Sequence, residues 1–167
     1  MPRTDTAPRG ELLCVLANPP AGSGERTLAR LEQARALLGF AAVQIGNLFA
    51  LPSADVTAIT ALGAAPDGWL EARKQLAAAV ASCDGVLLAY GLSEPTGPAR
   101  GHHRDQVRWL TERLVEAGSP AFQLGDGPRH PSRWQRWTAR HHADLPFTAG
   151  LGVSLTEVDP AQSGTAV

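Results

Sequence analysis

The chain has 167 residues and a mass of 17.6 kDa, enough for one domain with a substantial core and too little for most two-domain enzymes. Hydrophobic residues make up 44% and charged residues 19%, which excludes wholesale disorder. The net charge of −1 excludes a generic polycationic nucleic-acid binder, and no apolar run approaches the roughly 20 residues that cross a bilayer, so no membrane partner is expected.

In chain order, residues 1–10 are polar with two prolines and are expected to form a flexible lead-in with no signal-peptide character. Residues 11–17 (ELLCVLA) are a short apolar run ending in a turn signal, as in a buried strand. Residues 18–24 (NPPAGSG) are a loop by composition. From Glu25, apolar residues at 28, 31, 34, 37 and 38 have helical spacing, with Gly39 suited to the end of the helix. A second buried strand starts at Phe40 and ends in polar Asn47, with Pro52 and Ser53 as punctuation. A short helix is expected around residues 55–61. A longer one follows from Asp67, its capping residue, to near Asp84. Residues 86–90 (VLLAY) are a third strand, and a Gly-, Pro- and Ser-rich loop leads to an amphipathic helix over 102–117. Residues 120–124 are a fourth strand, and 132–142 are expected to form a short helix. Residues 143–167 are weakly patterned and expected to be irregular.

Four buried strands separated by helices indicate parallel βαβ units. The expected fold is therefore a single α/β domain over residues 11–142, a three-layer α/β/α sandwich with a four-stranded, mainly parallel sheet. Ligands of such sheets sit beyond the carboxyl ends of the strands, which points to the loops at 18–24, 47–53, 90–97 and 125–133. Cys14 and Cys83, both in apolar stretches, read as free thiols of a cytoplasmic protein.

Charge is distributed unevenly. Residues 100–142 hold eight arginines against Asp105, Glu112, Glu116 and Asp126, a local charge of +4, and all five histidines lie there too. Among the loops, the glycines of 18–24 suit a phosphate cradle but match no established phosphate-loop pattern, so a simple βα turn is an equal reading. Asn47 presents a donor and an acceptor side by side, suited to holding its own loop or to reading a base edge. Arg129, Arg133, Arg136 and Arg140 suit phosphate contacts, and Trp134 and Trp137 are more often core-facing than base-stacking. His130, between Arg129 and Pro131, reads as an electrophile or proton donor. The pairs His102-His103 and His141-His142 have no Cys or acidic partner at metal spacing and read as surface histidines, so no metal or other cofactor is expected.

The motifs Asn18-Pro19-Pro20, Asn47-Leu48-Phe49-Ala50, Ala89-Tyr90-Gly91 and Pro128-Arg129-His130-Pro131 resemble, in order, those of a bacterial family, domain-of-unknown-function family 1643. That family reads Asn-Pro-Ser, Asn-Leu-Phe-Ala, Ala-Trp-Gly and Pro-Arg-His-Pro. The resemblance spans roughly residues 11–133 and departs at Pro20, at Tyr90 and at residues 22–27 (GSGERT), where the family carries an acidic Asp-Asp-Pro-Thr segment. A more distant likeness is to uracil-DNA glycosylases, which have Asp-Pro or Asn-Pro, Asn, Leu-Trp-Gly and His-Pro-Ser at the four strand ends. Here Asn18-Pro19, Asn47, Tyr90-Gly91 and His130-Pro131-Ser132 match in that order.

The likeness implies a uracil-DNA-glycosylase-like fold that binds a nucleobase, nucleotide or nucleic acid. Asn18 would hold an attacking water and His130 would stabilise the departing base as an anion. Asn47 would read the base edge, with Pro19, Phe49 and Tyr90 around it. Arg129, Ser132, Arg133, Arg136 and Arg140 would contact phosphates. Asn18 cannot accept a proton as an aspartate would, so N-glycosidic hydrolysis and a non-catalytic binding or scaffold role with a decayed site both stay open. The sequence sets neither the base nor the oligomeric state.

Overall fold

Arg9–Leu16 forms the first strand, β1, and its buried stretch Leu12 to Leu16 serves two cores at once. Leu13 and Val15 point into one core while Leu12, Cys14 and Leu16 point into the other, because successive strand residues face opposite sides of the sheet. A strand covered on both faces needs an unbroken apolar run rather than an alternating one, which is why ELLCVLA reads so clearly. The structure, a computed structural model, describes residues 7–163. Of the expected lead-in, Arg9 and Gly10 belong to β1, and residues 1–6 lie outside the described residues.

Helix α1 (Glu25–Leu38) stops at Gly39, whose φ of 79° is a conformation glycine reaches without strain, and whose N–H donates to the carbonyls of Arg35 and Ala36. Strand β2 (Phe40–Asn47) lies parallel to β1, with Asn47 opposite Leu16. Helix α2 (Val56–Leu62) is capped by Asp55, whose carboxylate accepts from the Ala58 N–H. In α3 (Asp67–Ser82) the cap position belongs to Pro66, so Asp67 acts instead as a negative charge in the first turn. Strand β3 (Gly85–Leu88) leads to α4 (Pro98–Ala117), which starts at Pro98 rather than His102 because proline's fixed φ suits a first helical turn. Strand β4 (Ala121–Leu124) is followed by a single 3-10 turn, Pro131–Arg133, that runs into α5 (Trp134–His141).

The C-terminal stretch departs from expectation. It contains α6 (Phe147–Ser154), strand β5 (Leu155–Val158) and a short α7 (Pro160–Ser163), so it is not an irregular tail; residues 164–167 lie outside the described residues. The sheet accordingly has five strands, not four, in the order β2-β1-β3-β4-β5. The first four are parallel, and β5 runs antiparallel to β4 with Leu155 opposite Leu124.

Helices cover both faces. Ile59 of α2, Trp69, Leu76 and Val80 of α3, and Leu110 and Leu114 of α4 pack on one side. Leu31 and Ala34 of α1, Trp134 of α5 and Leu151 of α6 pack on the other. Each such fully buried leucine contributes about 1.5–3 kcal/mol by leaving water. Right-handed crossovers account for the sides: β1 to β2 runs one way along the sheet and β3 to β4 the other, so α1 and α4 fall on opposite faces. The loops leaving β1 and β3 therefore diverge, and a crevice opens between their carboxyl ends.

Candidate functional site

That crevice is a cleft of about 600 Å³, the size of a typical small-molecule site. Its floor is Ala17 and Asn18 from the end of β1 and Tyr90 and Gly91 from the end of β3. Its walls are Ala54 and Asp55 on one side and His130, Ser132 and the basic face of α5 on the other.

Asn18 is fixed by its amide. Nδ2 donates to the carbonyls of Pro19 (2.9 Å) and Ser53 (2.8 Å) and lies 2.6 Å from Ser53 Oγ. Two carbonyls facing the same atom require it to be the NH2 group, which leaves Oδ1 as the free acceptor. The same place is tied a second time by the Ser53 N–H donating to Pro19 O at 3.3 Å. Asn18 thus clamps the loop after β1 to the loop after β2, and the clamp sets Asp55 on the cleft wall two residues further on.

His130 is fixed by its own turn. Its Nδ1 accepts the Ser132 backbone N–H at 3.1 Å and lies 2.9 Å from Ser132 Oγ. An Nδ1 that accepts leaves the proton of the neutral ring on Nε2, which has no hydrogen-bond partner among the described residues. Burial, and then the charge of Arg133, holds the imidazole below its ordinary pKa, so the ring at neutral pH is an uncharged N–H donor. The turn is brought to Tyr90 by the Gly91 N–H, which donates to Pro128 O at 2.6 Å with φ at 90°, a backbone that only glycine adopts freely. Tyr90 is half-buried, its phenol pushed up to about 12 by burial, and its ring stands edge-on to His103 at 6.3 Å.

Arg129, Arg133, Arg136 and Arg140 line the cleft against a single carboxylate, Asp55. Arg129 is partly spent: it donates to Asp126 at 2.6 Å, holding that carboxyl below its usual range, while its buried Nε has no partner. Arg133, Arg136 and Arg140 are exposed and make no ion pair or hydrogen bond among the described residues.

Three expected site residues sit elsewhere. Phe49 is fully buried and packs on Trp69 with ring centroids 4.8 Å apart, so it is a core residue and no ligand can stack on it. Pro19 contributes its carbonyl to the Asn18 clamp and does not line the cleft. Asn47 is the last residue of β2, off the cleft wall, with a buried Oδ1 that accepts no hydrogen bond among the described residues. Phe40, too, is core, edge-on to Phe122. Strand periodicity alone does not show which of these side chains face the core; that depends on the register with β1.

Other residues were mis-sited or missed. Trp134 is fully buried as expected, but Trp137 lines the cleft. His141 stacks on Trp137 at 4.0 Å, and the Arg129 guanidinium lies 5.7 Å from its ring centre. His103 is buried rather than on the surface, its Nδ1 without a partner, with burial lowering its pKa. Asp55 is a cleft residue that the sequence does not single out, since it stands at the start of a short helix; its place just after a strand-end loop is the available signal. Among the described residues no three His, Cys, Asp or Glu side chains gather as metal ligands. Cys14 is buried, its thiol pushed up to about 12, and Cys83 is half-buried. Among the described residues no helix is long and apolar enough to cross a membrane.

A family model for proteins of unknown function, DUF1643, matches residues 1–132. The chain belongs to that family. The match takes in Asn18, Tyr90, His130 and Ser132 and ends one residue before Arg133. No curated protein and no solved structure matches the chain.

Proposed function

We propose that the chain binds a nucleobase, nucleotide or nucleic acid in the cleft at the carboxyl edge of its sheet, on a uracil-DNA-glycosylase-like arrangement of its parallel strands. One observation carries the reading: a single cleft joins neutral donor and acceptor groups to a cationic wall. Asn18 Oδ1 accepts, His130 Nε2–H and the protonated Tyr90 hydroxyl donate, and the arginines beside them suit phosphate. A heteroaromatic base has donors and acceptors on its edge, and its nucleotide carries the anion.

Two chemical outcomes are consistent with these groups. In N-glycosidic hydrolysis, His130 Nε2–H would donate to the base oxygen as negative charge develops there, and Asp55, unlike Asn18, is able to take a proton from water. In the second reading the cleft binds without chemistry, and Asn18 favours it: its NH2 group is engaged in holding two loops together, and its free Oδ1 accepts a hydrogen bond but is no base for water. Binding is tested by titrating the protein with uracil, its nucleoside monophosphate and a short oligonucleotide. Tyr90→Ala and His130→Ala are expected to weaken all three, and unchanged affinities would remove the base from the reading. Incubation with uracil-containing single-stranded DNA, scored for abasic sites in wild type, Asp55→Asn and His130→Ala, separates hydrolysis from binding alone.

A further inference from the structure

The described arginines divide by what their side chains meet. Arg35, Arg100, Arg104, Arg108, Arg113 and Arg129 each meet a carboxylate. Arg9, Arg30 and Arg73 each donate to a carbonyl or a side-chain amide and cover an aromatic ring. Of the described arginines this leaves Arg26, Arg133, Arg136 and Arg140 with no partner among the described residues, and the last three line one cleft.

Their spacing, i, i+3 and i+7, puts them on one face of α5 and its leading turn, and a rise of about 1.5 Å per residue spreads them over about 10 Å. Nothing in the fold asks for this. Like charges at these spacings repel, and Arg133 and Arg136 stand at the N-terminal end of the helix, where the macrodipole disfavours cations. Only Arg140, in the last turn, is favourably placed. A row this long exceeds what one phosphate can neutralise.

We infer that the ligand is a single strand of nucleic acid whose consecutive phosphates run along α5 from Arg133 to Arg140. This rests on the nucleotide reading of the cleft and narrows it. The row begins at the end of α5 that adjoins His130 and Ser132, so one base lies at Tyr90 and His130 while the backbone continues toward Arg140. Beyond the first base the aromatic ring on this wall is Trp137, already stacked by His141, so those nucleotides are held chiefly through their phosphates and sequence is read mainly at one position. A duplex presents its phosphates on a convex rod, whereas these guanidiniums line a concave cleft that also holds Asp55, a shape that suits a single strand better than a duplex.

The test uses the full chain and a labelled thymidylate dodecamer, its duplex with the complement, and a nucleoside triphosphate and inorganic polyphosphate as competitors. The single strand is expected to bind more tightly than the duplex and to resist both competitors at equal phosphate concentration. Each of Arg133→Gln, Arg136→Gln and Arg140→Gln is expected to lower the slope of log affinity against log salt by about 0.7, and the triple variant by about 2. Arg26→Gln is the control that keeps the slope, with circular dichroism showing each variant folded. An unchanged slope in the triple variant, tighter duplex binding, or equal displacement by triphosphate or polyphosphate overturns the inference. Nucleoside monophosphate binding that is lost in Tyr90→Ala, together with an unchanged triple-variant slope, leaves the base reading standing without the strand. The reverse pattern leaves the strand without the base, and no binding of any nucleotide or oligonucleotide overturns both.

Discussion

Asn18 shows how much a single amide decides here. Its NH2 group faces two carbonyls and a hydroxyl, so a carboxylate at the same position would set lone pairs against lone pairs in a half-buried place. Asn18→Asp is expected to cost about 1–3 kcal/mol in urea unfolding, the cost of leaving buried acceptors unmade plus repulsion. Ser53→Ala, which removes one acceptor of three, is expected to cost about 1 kcal/mol. A more stable Asn18→Asp protein would show that the amide is not a clamp and would return the position to catalysis. His130 carries a second expectation at this scale. Burial is the larger cause of its lowered pKa and Arg133 the smaller, so Arg133→Gln is expected to raise the imidazole pKa without restoring its ordinary value. An NMR titration of the ring reads this directly, and no rise at all would place the Arg133 charge elsewhere.

At the scale of elements, what was legible in the sequence is what burial on both sheet faces dictates. β1 to β4 have apolar runs that only a covered strand needs, and Gly39 marks the end of α1 as its φ requires. The strand ends then locate Asn18, Tyr90 and His130 in one cleft, because parallel topology brings carboxyl ends together whatever the detailed packing. The places of Asn47, off the cleft wall, and of Phe49, in the core, are not legible in the sequence because their surroundings depend on register and on α3, which packs Trp69 against Phe49. β5 and α6 were invisible for related reasons. β5 buries its two end residues only halfway and, at the edge of the described sheet, pairs with β4 alone, so it lacks an apolar run. In α6 the glycines read as a loop, yet a Cβ at Gly150 would come within 3.3 Å of Thr138 Cβ, so the glycine is what lets α6 approach α5. α6 nevertheless holds its face of the sheet through Leu151, fully buried with Trp134. Leu151→Ala is expected to cost about 2–5 kcal/mol in urea unfolding through lost burial and the cavity left behind. A cost below 1 kcal/mol, the size seen for surface changes, would show that the C-terminal elements are not part of the cooperative fold.

At the scale of the whole molecule, the overall charge of −1 conceals about a quarter of the chain, residues 100–142, at +4, and the buried His103 and half-buried His130 lie within it. Burial lowers the pKa of His103, with Glu94 opposing and Arg104 adding to the shift; burial and Arg133 lower that of His130. The unfolded chain therefore takes up these protons at a higher pH than the folded one. Stability is fully present above the ordinary imidazole range and is lost as pH falls through it toward the folded values. Urea midpoints are expected to drop between about pH 7 and about pH 5, and to drop less in His103→Gln and His130→Gln, each of which removes one proton uptake. Equal slopes in wild type and both variants would assign the loss to other groups. Phosphate affinity should move the opposite way over the same range, because each histidine charged in the folded state adds to the positive segment. Between those limits a pH exists at which the protein holds a polyanion best while still folded. The polyanion itself, binding only the folded chain, should raise the urea midpoint most on the acid side. A midpoint shift that instead shrinks with falling pH would separate the charge of this segment from the site, since binding would then not be using it.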